Sequence, residues 1–109
     1  MHTQTLTHTA IATGAGVQRR FVNFAGAQAA AADQVIGVAM TDFAIGQAFT
    51  VHILGEVAVE SGGAVAVGDA IIPDAQGRGI TDGATAANRV GRAVNAVTGA
   101  GQTLFIIIK

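Results

Sequence analysis

The feature that most constrains this chain is an internal repeat. The run from Val35 to Asp42, a turn, and Gly46-Gln-Ala-Phe-Thr-Val recur as Val90 to Ala96, a turn, and Gly101-Gln-Thr-Leu-Phe-Ile. Each copy is a β-branched run, a small-residue connection around a glycine and a second β-branched run, the pattern of two antiparallel strands. The repeat carries structure, not chemistry: neither copy holds a catalytic constellation.

Composition sharpens this. The chain has 109 residues, enough for one domain with a modest core. Half of the residues are hydrophobic, but many are alanine, and with five Phe and no Trp or Tyr the aromatic contribution is small. A core this lean predicts a homo-oligomer, in which contacts between copies add to the buried surface. The formal net charge is −1, and Arg19-Arg20 is the one conspicuous pair of adjacent cations. A nucleic-acid binder needs a concentrated basic surface to displace counterions, so that class is set aside. With no Cys there is neither disulfide nor thiolate chemistry. No apolar run approaches the roughly 18 residues of a membrane span, and the N-terminus lacks the layout of a signal peptide. The expected protein is soluble and made in a cytoplasm.

Along the chain, residues 1–16 are rich in Thr, Ala and Gly, with Leu6 and Ile11 as the sizeable apolar anchors, and read as an extended arm. Residues 17–109 read as one β domain. A first strand is expected over Val17–Phe24 and a loop with one helical turn at most over Ala25–Asp33. A strand follows over Val35–Met40. From Phe49 to Glu60, Phe49, Val51, Ile53, Val57 and Val59 fall on one face and Thr50, His52, Glu56 and Glu60 on the other, with Leu54 the exception. Gly55 lies on the apolar side, where a missing side chain predicts a bend. Glu60–Gly63 reads as a turn, Ala64–Val67 as a short strand, Gly68-Asp69 as a turn, Ala70–Ile72 as a strand ended by Pro73, and Asp74–Gly77 as a hairpin connection. Thr81–Asn88 reads as a surface loop, and the apolar run Thr103–Ile108 as a central strand or a subunit contact. The fold class is all-β: a small, Gly-rich antiparallel barrel or sandwich with an extended N-terminal arm.

The chemical inventory is sparse. His2, His8 and His52 have no metal-site spacing. Ser61, the single serine, lacks the preceding glycine of a nucleophile elbow and reads as a turn residue. Glu56 and Glu60 lie about 13 Å apart by strand rise, too far for a glycosidase pair, and read as solvated. Gly14-Ala-Gly16 and Gly99-Ala-Gly101 lack the rest of a phosphate loop and read as turn glycines. No catalytic, cofactor or metal site is assigned. Arg19, Arg20 and Phe21 are the candidate interface. Neighbouring strand residues point to opposite faces, so one arginine is expected toward solvent and the other toward a partner.

Read in order, Ala12-Thr-Gly-Ala, Arg20-Phe-Val, Gly26-Ala, Val35 to Asp42, Ile53-Leu-Gly, Val59 to Asp69, Asp74-Ala-Gln-Gly-Arg and Gly91-Arg-Ala resemble the capsid decoration, or cement, proteins of tailed bacteriophages. More narrowly, they resemble the small phage head proteins formerly mislabelled recombinase-like. The resemblance runs from about Ala12 to Lys109 and departs in the small, polar loop after Asp82. It implies a non-enzymatic β-rich virion protein bound to the outside of the head. Such proteins contact the major capsid protein, commonly as trimers, and reinforce the shell against internal DNA pressure. In that setting the arm becomes a candidate capsid-binding strand, with Thr3, Thr5, Thr7 and Thr9 supplying extended backbone and Leu6 and Ile11 the anchors. If so, a chain lacking residues 2–12 should fold and assemble but fail to bind heads. Another virion module, at a tail tip or fibre, and a small ligand-binding barrel are the alternatives.

Overall fold

The computed structural model describes residues 6–30, 33–81 and 90–108. It is all-β, with eight strands: β1 (Leu6–Ile11), β2 (Phe21–Asn23), β3 (Val35–Ala39), β4 (Ala48–Gly62), β5 (Ala70–Pro73), β6 (Gly79–Thr81), β7 (Gly91–Ala93) and β8 (Ala100–Ile108). Strands β4, β6, β5, β7 and β8 follow one another around a ring that the β4–β8 pairing closes into a barrel. Around the other half of β4 lie β1 and β3, with β2 beyond β3. Strand β4 therefore serves both lobes. Its first part pairs with β1 and β3, its second part with β8, and Gly55, at φ +100°, stands where the partners change. A left-handed backbone there costs a glycine little, which is why the bend expected at this position falls on it.

The apolar alternation of β4 decides the two cores. Phe49 and Val51 are buried with Ala12, Val22, Ala39 and Phe43 in the first lobe, where the Phe43 and Phe49 rings stack with centroids 3.9 Å apart. Val57 and Val59 face Ile71, Leu104 and Ile106 inside the closed ring, together with Phe21, Val38 and Ala29. Complete burial of each Val, Leu or Ile side chain contributes about 1.5–3 kcal/mol. The ring core thus joins the repeat's second copy and the far half of the long strand to Ile71 and to Phe21, Ala29 and Val38 of the first lobe.

The repeat itself becomes two hairpins, β3–β4 and β7–β8, in matching register: Ala39 faces Val51 as Ala93 faces Ile106. Gly46 and Gly101 both adopt positive φ, at 82° and 80°. The glutamine after each folds back on its turn, Gln47 Oε1 accepting from the Ala44 N–H and Gln102 Oε1 from the Thr98 N–H. The likeness extends well beyond the repeated sequence. Gly16 and Phe43 exchange backbone hydrogen bonds as Val65 and Val97 do. The Arg19 N–H donates to Ala39 O as the Gly68 N–H donates to Ala93 O. Val22 pairs with Gly37 as Ile71 pairs with Gly91. The Asn23 side chain accepts from the N–H groups of Ala25 and Ala27, and Asp74 from those of Gln76 and Arg78, around the left-handed Gly26 and Gly77. The molecule is a doubled unit in which the far half of β4 is to the second lobe what β1 is to the first.

Several local expectations change. The segment read as an arm is extended over Leu6–Ile11 but docked, each residue in register with β4, and Ala12 is buried. Backbone pairing leaves no trace in side-chain composition, so a Thr-rich strand and a free arm look alike in sequence. Residues 2–12 thus overlap the fold itself. The strand expected from Val17 begins at Phe21 because Arg19 is left-handed, at φ 62°. The turn expected at Glu60–Gly63 is strand to Gly62, held by the Gly62–Ala100 pairing. Val65 contributes a single bridge to Val97 in place of a strand. Most of the Thr81–Asn88 loop lies outside the described residues.

Candidate functional site

Among the described residues no group of His, Asp or Glu is placed to hold a metal. Ser61 is wholly buried; its Oγ donates to Gly99 O at 2.7 Å and accepts from the Gln102 N–H at 3.0 Å. It pins the β8 turn onto β4, so it is a structural bridge and neither a nucleophile nor a turn residue. Glu60 is not simply solvated: its carboxylate pairs with Arg20 Nη2 at 3.3 Å, both side chains partly buried. Asp33 is held below the usual carboxylate range by the Ala30 N–H and, less strongly, by the Asn23 amide. It is half-buried and fixes a loop.

Two surface features remain. The first is the outer edge of β1, which among the described residues pairs with β4 alone. Thr7 and Thr9 are exposed on it, and Leu6 and Ile11 show 55% and 62% of their surface. Leu54, opposite Leu6 in the register, adds a third exposed apolar residue. Thr3 and Thr5 lie outside the described residues. An unpaired strand edge presents backbone donors and acceptors ready for another chain. In the second lobe β6 pairs with β4 at one position, Gly79 with Ser61, the counterpart of Ala12 just past the end of β1.

The second is the turn before β2. Arg20 reaches both the Gln76 carbonyl and Glu60, whereas Arg19 is exposed. Phe21, expected beside them at an interface, is 0% exposed and packs in the ring core. Of the three candidates, therefore, the arginines alone reach the surface. The two features share no residue and arise from different physics: an unsatisfied edge and a charged turn. The turn was found from the charge pair, while the openness of the β1 edge had no signal in the sequence, because it depends on which strand is missing beside it.

Comparison with known proteins agrees with this chemically quiet picture. The head fiber gp8.5 N base of bacteriophage phi29 has the same fold, with a TM-score of 0.79 at 21% identity over 97% of this chain and 95% of that one. No curated protein matches the sequence. The family model described as phage cement protein matches residues 1–108. The protein is a structural component of a phage virion, and a match over nearly the whole length places the chain in the phage cement protein family.

Proposed function

We propose that this protein is a capsid decoration subunit that binds the outer surface of a tailed-phage head, contacts the major capsid protein and reinforces its lattice without catalysing a reaction. The family match over residues 1–108 carries this reading. The lean core and the absence of a convergent polar site among the described residues support it. A cement protein needs a soluble fold that repeats a modest contact many times, so that multiplicity supplies strength no single contact has. Self-association, as a trimer, is part of the proposal.

The β1 edge is the proposed main contact. A strand of the capsid protein adds to it, Leu6 and Ile11 fix the register, and the exposed Thr7 and Thr9 lie beside the new strand. The N-terminal residues that include Thr3 and Thr5 extend the same contact. The likeness to a head fiber base favours a related second reading, in which the protein sits on the head as the foot of a longer appendage. Both place it outside the shell.

The test uses heads purified without the protein. Added wild-type protein is expected to saturate sites on the exterior in cryo-EM maps, and undecorated heads would overturn the proposal. A Leu6→Asp, Ile11→Asp double variant, both positions being exposed, should keep its fold by circular dichroism and lose binding by about tenfold or more. Undiminished binding would remove the β1 edge from the interface.

A further inference from the structure

Arg19 is the one residue other than glycine with a positive φ among the described residues, at 62°. Its counterpart in the second lobe, Gly68, occupies the same hydrogen-bonded position at φ 87°. This is a place where the fold calls for glycine, and the first lobe keeps a bulky cation there. The conformation is fixed from both sides, the Arg19 N–H donating to Ala39 O at 2.9 Å and its carbonyl accepting from the Glu60 N–H at 2.7 Å. Folding gains nothing from an arginine at such a position, and side chains retained against backbone strain concentrate at functional sites.

Arg19 lines a shallow pocket of about 230 Å³ together with Val17, Gln18, Glu60, Gly101, Gln102 and Thr103. The walls are held by interactions of their own. Gln102 is locked to Thr98 through both side-chain atoms, the Gln18 N–H is tied to Asp42, and the Glu60 carboxylate is taken by Arg20. The Arg19 guanidinium is left with no hydrogen-bond or ion-pair partner among the described residues. The pocket is below the roughly 300 Å³ at which small-molecule sites begin, and suits a single side chain. A planar guanidinium without a partner is best matched by a carboxylate, through paired hydrogen bonds.

We infer that this pocket receives the carboxylate of one acidic side chain on the phage head, and that Arg19, whose guanidinium has no other partner, is the residue that grips it. The inference rests on the proposed decoration of heads and specifies a second contact beside the β1 edge. Arginine at this position sets orientation and register on the shell, while the strand edge supplies area.

The test titrates wild-type, Arg19→Gly and Arg19→Lys proteins onto heads lacking the protein, with sedimentation of the free proteins alongside. Arg19→Gly removes the charge and relaxes the backbone, so its thermal midpoint should not fall while head binding weakens at least about tenfold and loses part of its salt dependence. Arg19→Lys keeps the charge without the planar fork and should bind at an intermediate level. Three outcomes overturn the inference: equal binding by wild type and Arg19→Gly, a lowered midpoint that explains the loss, or loss of self-association in Arg19→Gly, which would make a neighbouring copy the source of the carboxylate. If wild type itself fails to bind, the proposed decoration falls first, and that result is distinct from the other three.

Discussion

The two lobes run the same hydrogen-bond plan with different completeness. In the second, the hairpin after Asp74 continues into β6, which pairs with β5 and reaches β4, so the ring closes. In the first, the equivalent hairpin after Asn23 makes a single bridge, Val22 to Gln28, and its turn touches the start of the chain through the Thr13 N–H to Gly26 O bond. Closing a ring removes edges, and shortening the closing strand leaves one exposed. The difference divides labour: the closed lobe carries most of the core, and the open lobe carries both the free edge of β1 and the charged turn at Arg19.

If the equivalence is physical, the tightest contacts must fail alike in both lobes. A Cβ on Gly37 would run into the His52 carbonyl, and one on Gly91 into the Ile107 carbonyl, at corresponding points of the two hairpins. Backbone cannot rotate aside as a side chain can. Gly37→Ala and Gly91→Ala are each expected to cost about 3 kcal/mol or more, read as matched drops in the denaturation midpoint. A silent Gly37→Ala beside a crippling Gly91→Ala would show that the open lobe yields where the closed one does not.

The packing of the lobes differs at one exchange of volume. Gly16 lies against the ring of Phe43, so close that a Cβ there would overlap it, while the matching pair in the second lobe is Val65 against Val97. Gly-with-Phe and Val-with-Val fill comparable space. Gly16→Val alone should destabilise by about 2–3 kcal/mol through overpacking. Adding Phe43→Val, which transplants the second lobe's solution, should recover part of that loss, giving a coupling of about 1–2 kcal/mol in a double-mutant cycle. The recovery is incomplete because Phe43 also stacks on Phe49. Additive effects would mean that the lobes share hydrogen bonds without sharing a packing scheme.

How much of this could be read from sequence follows from what each feature leaves in the residues. The hairpins β3–β4 and β7–β8 were legible because their strands alternate apolar residues and their turns need Gly46 and Gly101. The bend at Gly55 was legible for the same reason. The rest of the duplication was not, since it survives as backbone register: Ala12 stands for Ser61, Arg19 for Gly68 and Phe43 for Val97, identities that share no alphabet. Strand β4 also ends one copy and begins the next, so no segment boundary marks the joint. The candidate interface was half legible. Adjacent cations drew attention to Arg19 and Arg20, but Phe21 reads the same whether it faces a partner or a core, and burial alone decides. Backbone strain at Arg19 has no sequence signature unless the equivalence with Gly68 is already known.

The smallest expected effect concerns how the open lobe holds its shortened closing segment. Where the second lobe ties its hairpin with an Asp74–Arg78 pair at 2.9 Å, the first uses Asp33, whose carboxylate accepts from the Ala30 N–H at 2.9 Å and the Asn23 amide at 3.1 Å. These bonds favour the ionised form and lower the pKa of Asp33 in the folded state below its unfolded value. A depressed folded value means stability that is complete above the unfolded carboxylate range, near pH 4, and is lost as pH falls through the folded value. Solvent screening at this half-buried surface site keeps the effect small. Asp33→Ala should therefore lower the thermal midpoint slightly at pH 7, and the gap from wild type should close on acidification. A gap that persists at low pH would mean that Asp33 holds the loop by shape and not by charge, and that the open lobe needs no clamp of its own.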